Sequence, residues 1–318
     1  MTNFHLAVGV AALTAIGAFL VSKYFRAPKR GSFPPYGWLG LAIIAGAELG
    51  LLMNYADVRT FFTPIAWTGY LLLTDAAVRR LKGGSRLTDS PRQFLELCFW
   101  SVPLWLIFEA YNLRLKNWRY TGLPSNPWAA GVGYVWSFAT IWPAIFETAD
   151  LMEGLISTRA RGTARAAMQK RSLATFSFLG LAMVVVPLMV SQQVSRYLFG
   201  LVWLGFIFLL DPLNYLGGGD SLLRDWQKGD WRRLKALLAS GMICGLLWEF
   251  WNYWAGAKWN YIFPIAQHWK IFEMPVPGYL GFPPFAVECF VMYEFVQTAR
   301  RKLARATEGE RLEMTERG

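Results

Sequence analysis

Residues 67–89, WTGYLLLTDAAVRRLKGGSRLTD, align without a gap on residues 203–225, WLGFIFLLDPLNYLGGGDSLLRD. The two agree at Trp67/Trp203, Gly69/Gly205, Asp75/Asp211, Gly83/Gly219, Ser85/Ser221 and Asp89/Asp225. Working outward, FEAYNLRLKNWRY (108–120) matches WEFWNYWAGAKWNY (248–261) with one residue inserted. That match pairs Glu109 with Glu249, Asn112 with Asn252, Trp118 with Trp259 and Tyr120 with Tyr261. Farther on, PAIFE (143–147) faces PFAVE (284–288), pairing Pro143 with Pro284 and Glu147 with Glu288. Upstream, WLGLA (38–42) resembles FLGLA (178–182). Self-similarity over this span is the mark of an internal duplication.

The setting of the duplication is apolar. Hydrophobic residues make up 54% of the 318, and aromatic residues 16%. Runs of about 18 or more apolar residues are the signature of membrane-spanning helices. Such runs fall near 3–22, 37–55, 60–78, 93–112, 130–150, 173–194, 197–215, 234–254 and 278–298. The expected fold is an all-α polytopic membrane bundle of about nine transmembrane helices. An N-terminal anchor helix and basic loop (1–30) precedes repeat 1 (31–160) and repeat 2 (172–300), each of four helices, and a polar tail (301–318) follows. An even number of helices per repeat gives both halves the same orientation, the parallel arrangement about an axis along the membrane normal.

The net charge of +11 raises the question of nucleic acid, and its placement answers it. With loops taken alternately, 25 of the 32 lysines and arginines fall on one side of nine spans and 7 on the other. The larger group includes Arg79, Arg80, Arg159, Arg161, Arg232, Arg233 and the tail to Arg317. The smaller is Arg59, Arg114, Lys116, Arg119, Arg196, Lys258 and Lys270. This is the positive-inside asymmetry. It predicts an outer N-terminus and a cytoplasmic C-terminus in a bacterial inner membrane, with anionic headgroups met at the cytoplasmic face and no nucleic-acid partner. The first segment lacks a basic stretch before its apolar run and a small-x-small cleavage site, so it reads as a retained anchor. Cys98, Cys244 and Cys289 lie inside expected helices without C-x-x-C spacing, which predicts buried free thiols.

Acids within hydrocarbon are costly unless neutral, paired or facing a wet cavity. Asp75 and Asp211 sit at helix ends, where ion pairing or capping accounts for them. Glu48, Glu96 and Glu294 have no counterpart in the other repeat and are read as structural. Glu109 and Glu249 each have an asparagine at i+3 on the same helix face. One reading is an interhelical hydrogen-bonded anchor. The other is a carboxylic acid, oriented by that asparagine, which donates a proton to an apolar substrate. Glu147 and Glu288 follow a proline by one turn, which suggests a kinked pocket wall or a packing kink. Trp118, Trp128, Trp259 and Trp269 fit an interfacial belt. Trp248 and Trp251 flank Glu249 within its helix, where electron-rich faces would stabilise a carbocation.

Several chemistries are disfavoured. No Asp-rich DDxxD element is present to hold magnesium and a diphosphate, and no P-loop or dinucleotide fingerprint occurs in a strand–helix context. Two histidines, His5 and His268, are too few for a multi-histidine di-iron site. Without a lysine deep in the last helices, a rhodopsin is disfavoured too. Acid–base work without cofactor or metal remains.

The order of motifs — acid-x-x-Asn, then W-x-Y, then a glycine-containing linker and Pro followed closely by Glu — resembles the membrane-embedded lycopene cyclases of carotenoid biosynthesis, the small-subunit type found as a tandem pair in fungi. The matching residues are Glu109, Trp118, Tyr120, Pro143 and Glu147, then Glu249, Trp259, Tyr261, Gly278, Pro284 and Glu288. A single Glu stands where the family has a Pro-x-Glu-Glu doublet. The resemblance implies redox-neutral cyclisation of a polyene, begun by protonation and ended by proton loss. On that expectation Glu109, Glu249, Glu147 and Glu288 are catalytic. Asn112, Asn252, Trp118, Tyr120, Trp248, Trp251, Trp259 and Tyr261 contact the isoprenoid or membrane-lipid substrate. The alternative is a non-enzymatic lipid- or pigment-binding protein, or a transporter, with structural acids.

Overall fold

A computed structural model of the chain describes residues 3–156 and 162–316, so Arg159, Arg161 and Arg317, counted above, lie outside the described residues. In chain order the first helices are α1 (Asn3–Arg26), α2 (Pro35–Leu52), α3 (Ala56–Thr60), α4 (Phe62–Lys82), α5 (Arg86–Asp89) and α6 (Pro91–Leu115). Strand β1 (Trp118–Thr121) leads to α7 (Pro127–Ala139) and α8 (Ile141–Leu155). Next come α9 (Lys170–Met189), α10 (Gln192–Ser195), α11 (Phe199–Gly217), α12 (Leu222–Gln227) and α13 (Arg232–Trp254). Strands β2 (Lys258–Tyr261), β3 (Lys270–Ile271) and β4 (Met274–Pro275) and a 3-10 turn, Val276–Gly281, precede α14 (Phe282–Glu316). Nearly all the regular structure is helical.

Among the described residues, seven stretches are long and apolar enough to cross a membrane: α1, α2, α6, α7 with α8, α9, α11 and α13. Two of the nine expected spans, at 60–78 and 278–298, are not among them. They correspond to α4 and α14, whose apolar character is diluted by Thr63, Thr74, Asp75 and Arg79 in one and by Glu288 and Glu294 in the other. α4 and the first turns of α14 are interior, with Ala66 and Trp67 of α4 and Ala286 and Cys289 of α14 buried. Polar groups enclosed by protein need not satisfy the demands of lipid.

Helix packing follows one partner order twice. In the first half α2 lies on α4 and α4 on α8; in the second α9 lies on α11 and α11 on α14. Helix α13 joins the halves by packing on both α8 and α14. Within each half a tight crossing is made by glycine. A Cβ on Gly40 would collide with the backbone of Gly69 and Leu73, and one on Gly180 with the backbone of Gly205, Phe208 and Leu209. Close backbone approach through small residues is a common basis of helix association in lipid. One connected core then joins the halves, with the Trp142 indole donating to Cys289 O at 2.9 Å across α8 and α14.

The paired aspartates cap. Asp75 accepts from Leu87 N (3.0 Å), Ser85 Oγ (2.8 Å) and Tyr36 Oη (2.5 Å). Asp211 accepts from Leu222 N (2.8 Å), Leu223 N (2.9 Å) and Ser221 Oγ (3.1 Å). Each buried carboxylate thereby satisfies the free N–H groups opening α5 or α12. Glu96 and Glu294 pair with Arg300 and Arg301 at the same end of the bundle. All three cysteines are free, with Cys98 half-buried and Cys244 and Cys289 buried.

The expected helix over 130–150 divides at Thr140. Pro143, third in α8, has no N–H to give the carbonyl one turn back, so the ladder breaks there. Ser101 of α6 fills the gap: its hydroxyl donates to Phe138 O and accepts from Trp142 N at 3.1 Å. Pro284 likewise stands third in α14. Both prolines open helices, so neither kinks a continuing one as the sequence suggested.

Two outcomes follow from these contacts. Ser101→Ala leaves two buried backbone groups unpaired and should destabilise the fold by about 1–3 kcal/mol, read as a lower melting temperature in detergent. Gly180→Leu forces α9 off α11, at a cost of about 1–3 kcal/mol or more. An unchanged melting temperature for Gly180→Leu would mean that the helix crossing is not close.

Candidate functional site

The W-x-Y motifs meet each other. Strand β1 pairs antiparallel with β2, with Trp118 opposite Tyr261 and Tyr120 opposite Trp259. Side chains two apart on a strand share a face, so the register gathers four aromatic rings into one patch. Each strand is stapled to the helix before it by an asparagine. Asn112 Oδ1 accepts from Asn117 N (2.8 Å) and Trp118 N (3.1 Å), and its Nδ2 donates to Trp118 O (2.9 Å). Asn252 accepts from Trp259 N (2.9 Å) and donates to Trp259 O (2.8 Å). The expectation that these asparagines orient the glutamates is thereby corrected. An amide side chain offers both a donor and an acceptor, which suits a strand backbone, and both are spent there.

Aromatic donors hold the glutamates instead. Glu109 Oε1 accepts from Tyr120 Oη (2.5 Å), Trp105 Nε1 (2.9 Å) and Trp118 Nε1 (3.2 Å). Glu249 is fully buried; its Oε1 accepts from Tyr261 Oη at 2.8 Å and its Oε2 has no hydrogen-bond partner. Trp259 Nε1 donates to the Tyr261 hydroxyl at 2.9 Å. Burial first, then the adjacent carboxyl, pushes both the Tyr120 and Tyr261 phenols well above the ordinary tyrosine value, so both remain O–H donors.

A cavity of about 440 Å³ lies against this patch, between the halves. Trp118, Tyr120, Trp248, Trp259 and Tyr261 line it. So do further aromatic residues outside the expected set, among them Trp67, Trp105, Tyr134, Trp203 and Phe285. Trp67 and Trp203 carried a signal, since the gapless alignment pairs them, but tryptophan pairs are read first as packing. Trp105 lies four residues before Glu109, one helical turn, which is a signal visible only once the acid is singled out.

The other expected site residues lie elsewhere. Glu109 and Glu249 stand behind Tyr120 and Tyr261 and do not line the cavity. Trp251 packs on Trp67, with ring centroids 5.0 Å apart, and donates to Glu48 Oε1 at 3.0 Å. Glu147 is fully buried with both oxygens unpaired, on the side of Asp75, Arg86 and Asp150. Glu288 is equally buried, beside the Phe206 backbone, and neither oxygen makes a hydrogen bond of ordinary geometry. The four glutamates therefore do not converge on the cavity. Of the tryptophans assigned to a belt, Trp128 and Trp269 are exposed, whereas Trp118 is buried.

No protein-family model matches this chain, and neither a curated protein nor a solved structure matches it with significance.

The asparagine staple is separable from the phenol. Asn252→Ala should free β2 and speed hydrogen exchange of the amides at 258–262, with a stability loss of about 1–3 kcal/mol. Tyr261→Phe removes one hydroxyl and should leave those amides protected. Equal exchange in the two variants would sink the assignment of separate roles.

Proposed function

We propose that this chain is an integral-membrane isoprenoid or carotenoid cyclase- or hydratase-like enzyme that protonates a hydrophobic polyene. The observation that carries the reading is the pair of carboxyl–phenol contacts, Glu109–Tyr120 and Glu249–Tyr261, whose phenols face one apolar aromatic cavity. The resemblance of the motif order to membrane-embedded lycopene cyclases supports it. The reading includes nine spans, with α4 and α14 as the two interior ones, and two parallel four-helix repeats. It includes an outer N-terminus and a cytoplasmic C-terminus, which puts the strands and the cavity toward the outer face. The repeats are supported by the twice-used aspartate caps, glycine crossings and asparagine staples.

In this reading Glu249 supplies the proton. Its fully buried carboxyl reaches the cavity only through the Tyr261 phenol, so the phenol gives its proton to an alkene carbon as it takes the carboxyl proton. The 2.8 Å contact serves that transfer when the carboxyl is protonated. A tertiary carbocation then forms beside Trp248 and Trp259, whose ring faces attract positive charge. Ring closure followed by proton loss to a carboxylate, or capture of water, completes the step with no net oxidation or reduction. Glu109, held by Tyr120, Trp105 and Trp118, is assigned the accepting role in this reading.

A second reading, a lipid- or pigment-binding protein without chemistry, is favoured by the position of Glu147 and Glu288 away from the cavity. The two separate in cells that make acyclic polyenes. Under the enzyme reading the protein changes the polyene profile, and Glu249→Gln or Glu109→Gln lowers the new product by about 100-fold or more, the usual range for a general acid. If both variants leave the profile as the unaltered protein does, the enzyme reading fails.

A further inference from the structure

Among the cavity residues only two carry charge, Arg196 and Lys258. Lys258 is neutralised by Glu273 at 2.9 Å. Arg196 is half-buried, and among the described residues no carboxylate lies within 4.0 Å of its guanidinium. Its Nη2 donates to Ile262 O at 3.2 Å, a neutral partner. Asn117 fixes the backbone at this point by donating to Arg196 O at 2.8 Å. A half-buried cation without an anion is costly, and its planar fork is matched to phosphate or carboxylate oxygens.

The wall beside Arg196 is open and apolar. Tyr197, Leu204 and Leu280 line the cavity and are exposed on the bundle surface. Gly200, between them, is exposed, and a Cβ there would meet nothing within 4 Å. The cavity thus has a mouth on the side of the bundle, with a fixed positive charge at its edge and aromatic rings within. Its volume falls in the usual range for small-molecule sites, about 300–1,000 Å³.

We infer that the cavity takes an amphiphile whose single anionic head, a phosphate or carboxylate, sits on Arg196 while its apolar chain enters past Gly200 to lie among the tryptophans. This goes beyond the proton chemistry and does not depend on it. A protein that only binds lipid would have the same site.

The test is binding to the purified full-length protein in neutral detergent, followed by quenching of its tryptophan fluorescence. The probes are geranylgeranyl monophosphate and geranylgeraniol, which share a chain and differ in the head. The unaltered protein should bind the phosphate about tenfold or more tightly than the alcohol, as a charge-assisted contact requires. Arg196→Gln should abolish that preference and leave the alcohol's affinity unchanged. Gly200→Leu should weaken both probes, with melting temperatures confirming folded variants. Phosphatidylglycerol and phosphatidylcholine, as competitors, identify the source of the head. Displacement by phosphatidylglycerol alone supports the inference, with a bilayer lipid as natural occupant; displacement by neither supports it with a free single-chain ligand. Equal affinity of the unaltered protein for phosphate and alcohol overturns it, even if Arg196→Gln fails to fold. So does a preference that persists in a folded Arg196→Gln. The readout is binding and needs no turnover, so loss of the cyclase reading would leave this result standing.

Discussion

The pairing of β1 with β2 is the contact on which the rest of the site depends. Two extended segments of four residues each, set between helices, must find partners for their backbone groups, and each is the other's partner. The antiparallel register brings one half's Trp-x-Tyr against the other's, and the two asparagine staples hold that register to the ends of α6 and α13. Without the pairing, the tyrosines would have no fixed place from which to reach the glutamates. The four rings would then belong to two separate loops.

The buried acids show how one cost is met in different ways. Asp75 and Asp211 are surrounded by N–H and O–H donors, so their charge is dispersed without a cation. Glu109 is held by three aromatic donors, whereas Glu249 has one and keeps a free oxygen. The two carboxyls therefore differ in donor number while sharing the phenol contact. Glu147 and Glu288 have no donor of ordinary geometry, and a carboxyl so placed avoids the greater part of the desolvation cost when it is neutral.

The cavity is a consequence of how the helices meet. Glycine lets α2 approach α4 and α9 approach α11 closely, and at Gly281 it lets the turn before α14 press on Trp203. Where large rings replace small residues, between α4, α6, α13 and α14, the halves stand apart and aromatic faces line the space. Trp67 packs edge-on or tilted against both Trp251 and Trp248. It ties α4 of one half to α13 of the other.

Much of this was legible in the residues alone. Apolar runs without charge imply a membrane bundle, because the backbone in lipid must bond within itself. The matching Glu, Asn, Trp and Tyr of 109–120 and 249–261 pointed to the strands that pair, because the same residue types recur there in the same order. The roles of those residues came only from the tertiary structure. A sequence cannot show that Asn112 and Asn252 turn toward a strand rather than a carboxyl, since an amide suits either. Nor can it show that Trp251 points to Glu48, that Glu147 and Glu288 lie away from the cavity, or that Pro143 opens a helix. Each of these depends on which groups lie across a gap between chain segments far apart in sequence, and helical spacing carries no information about that.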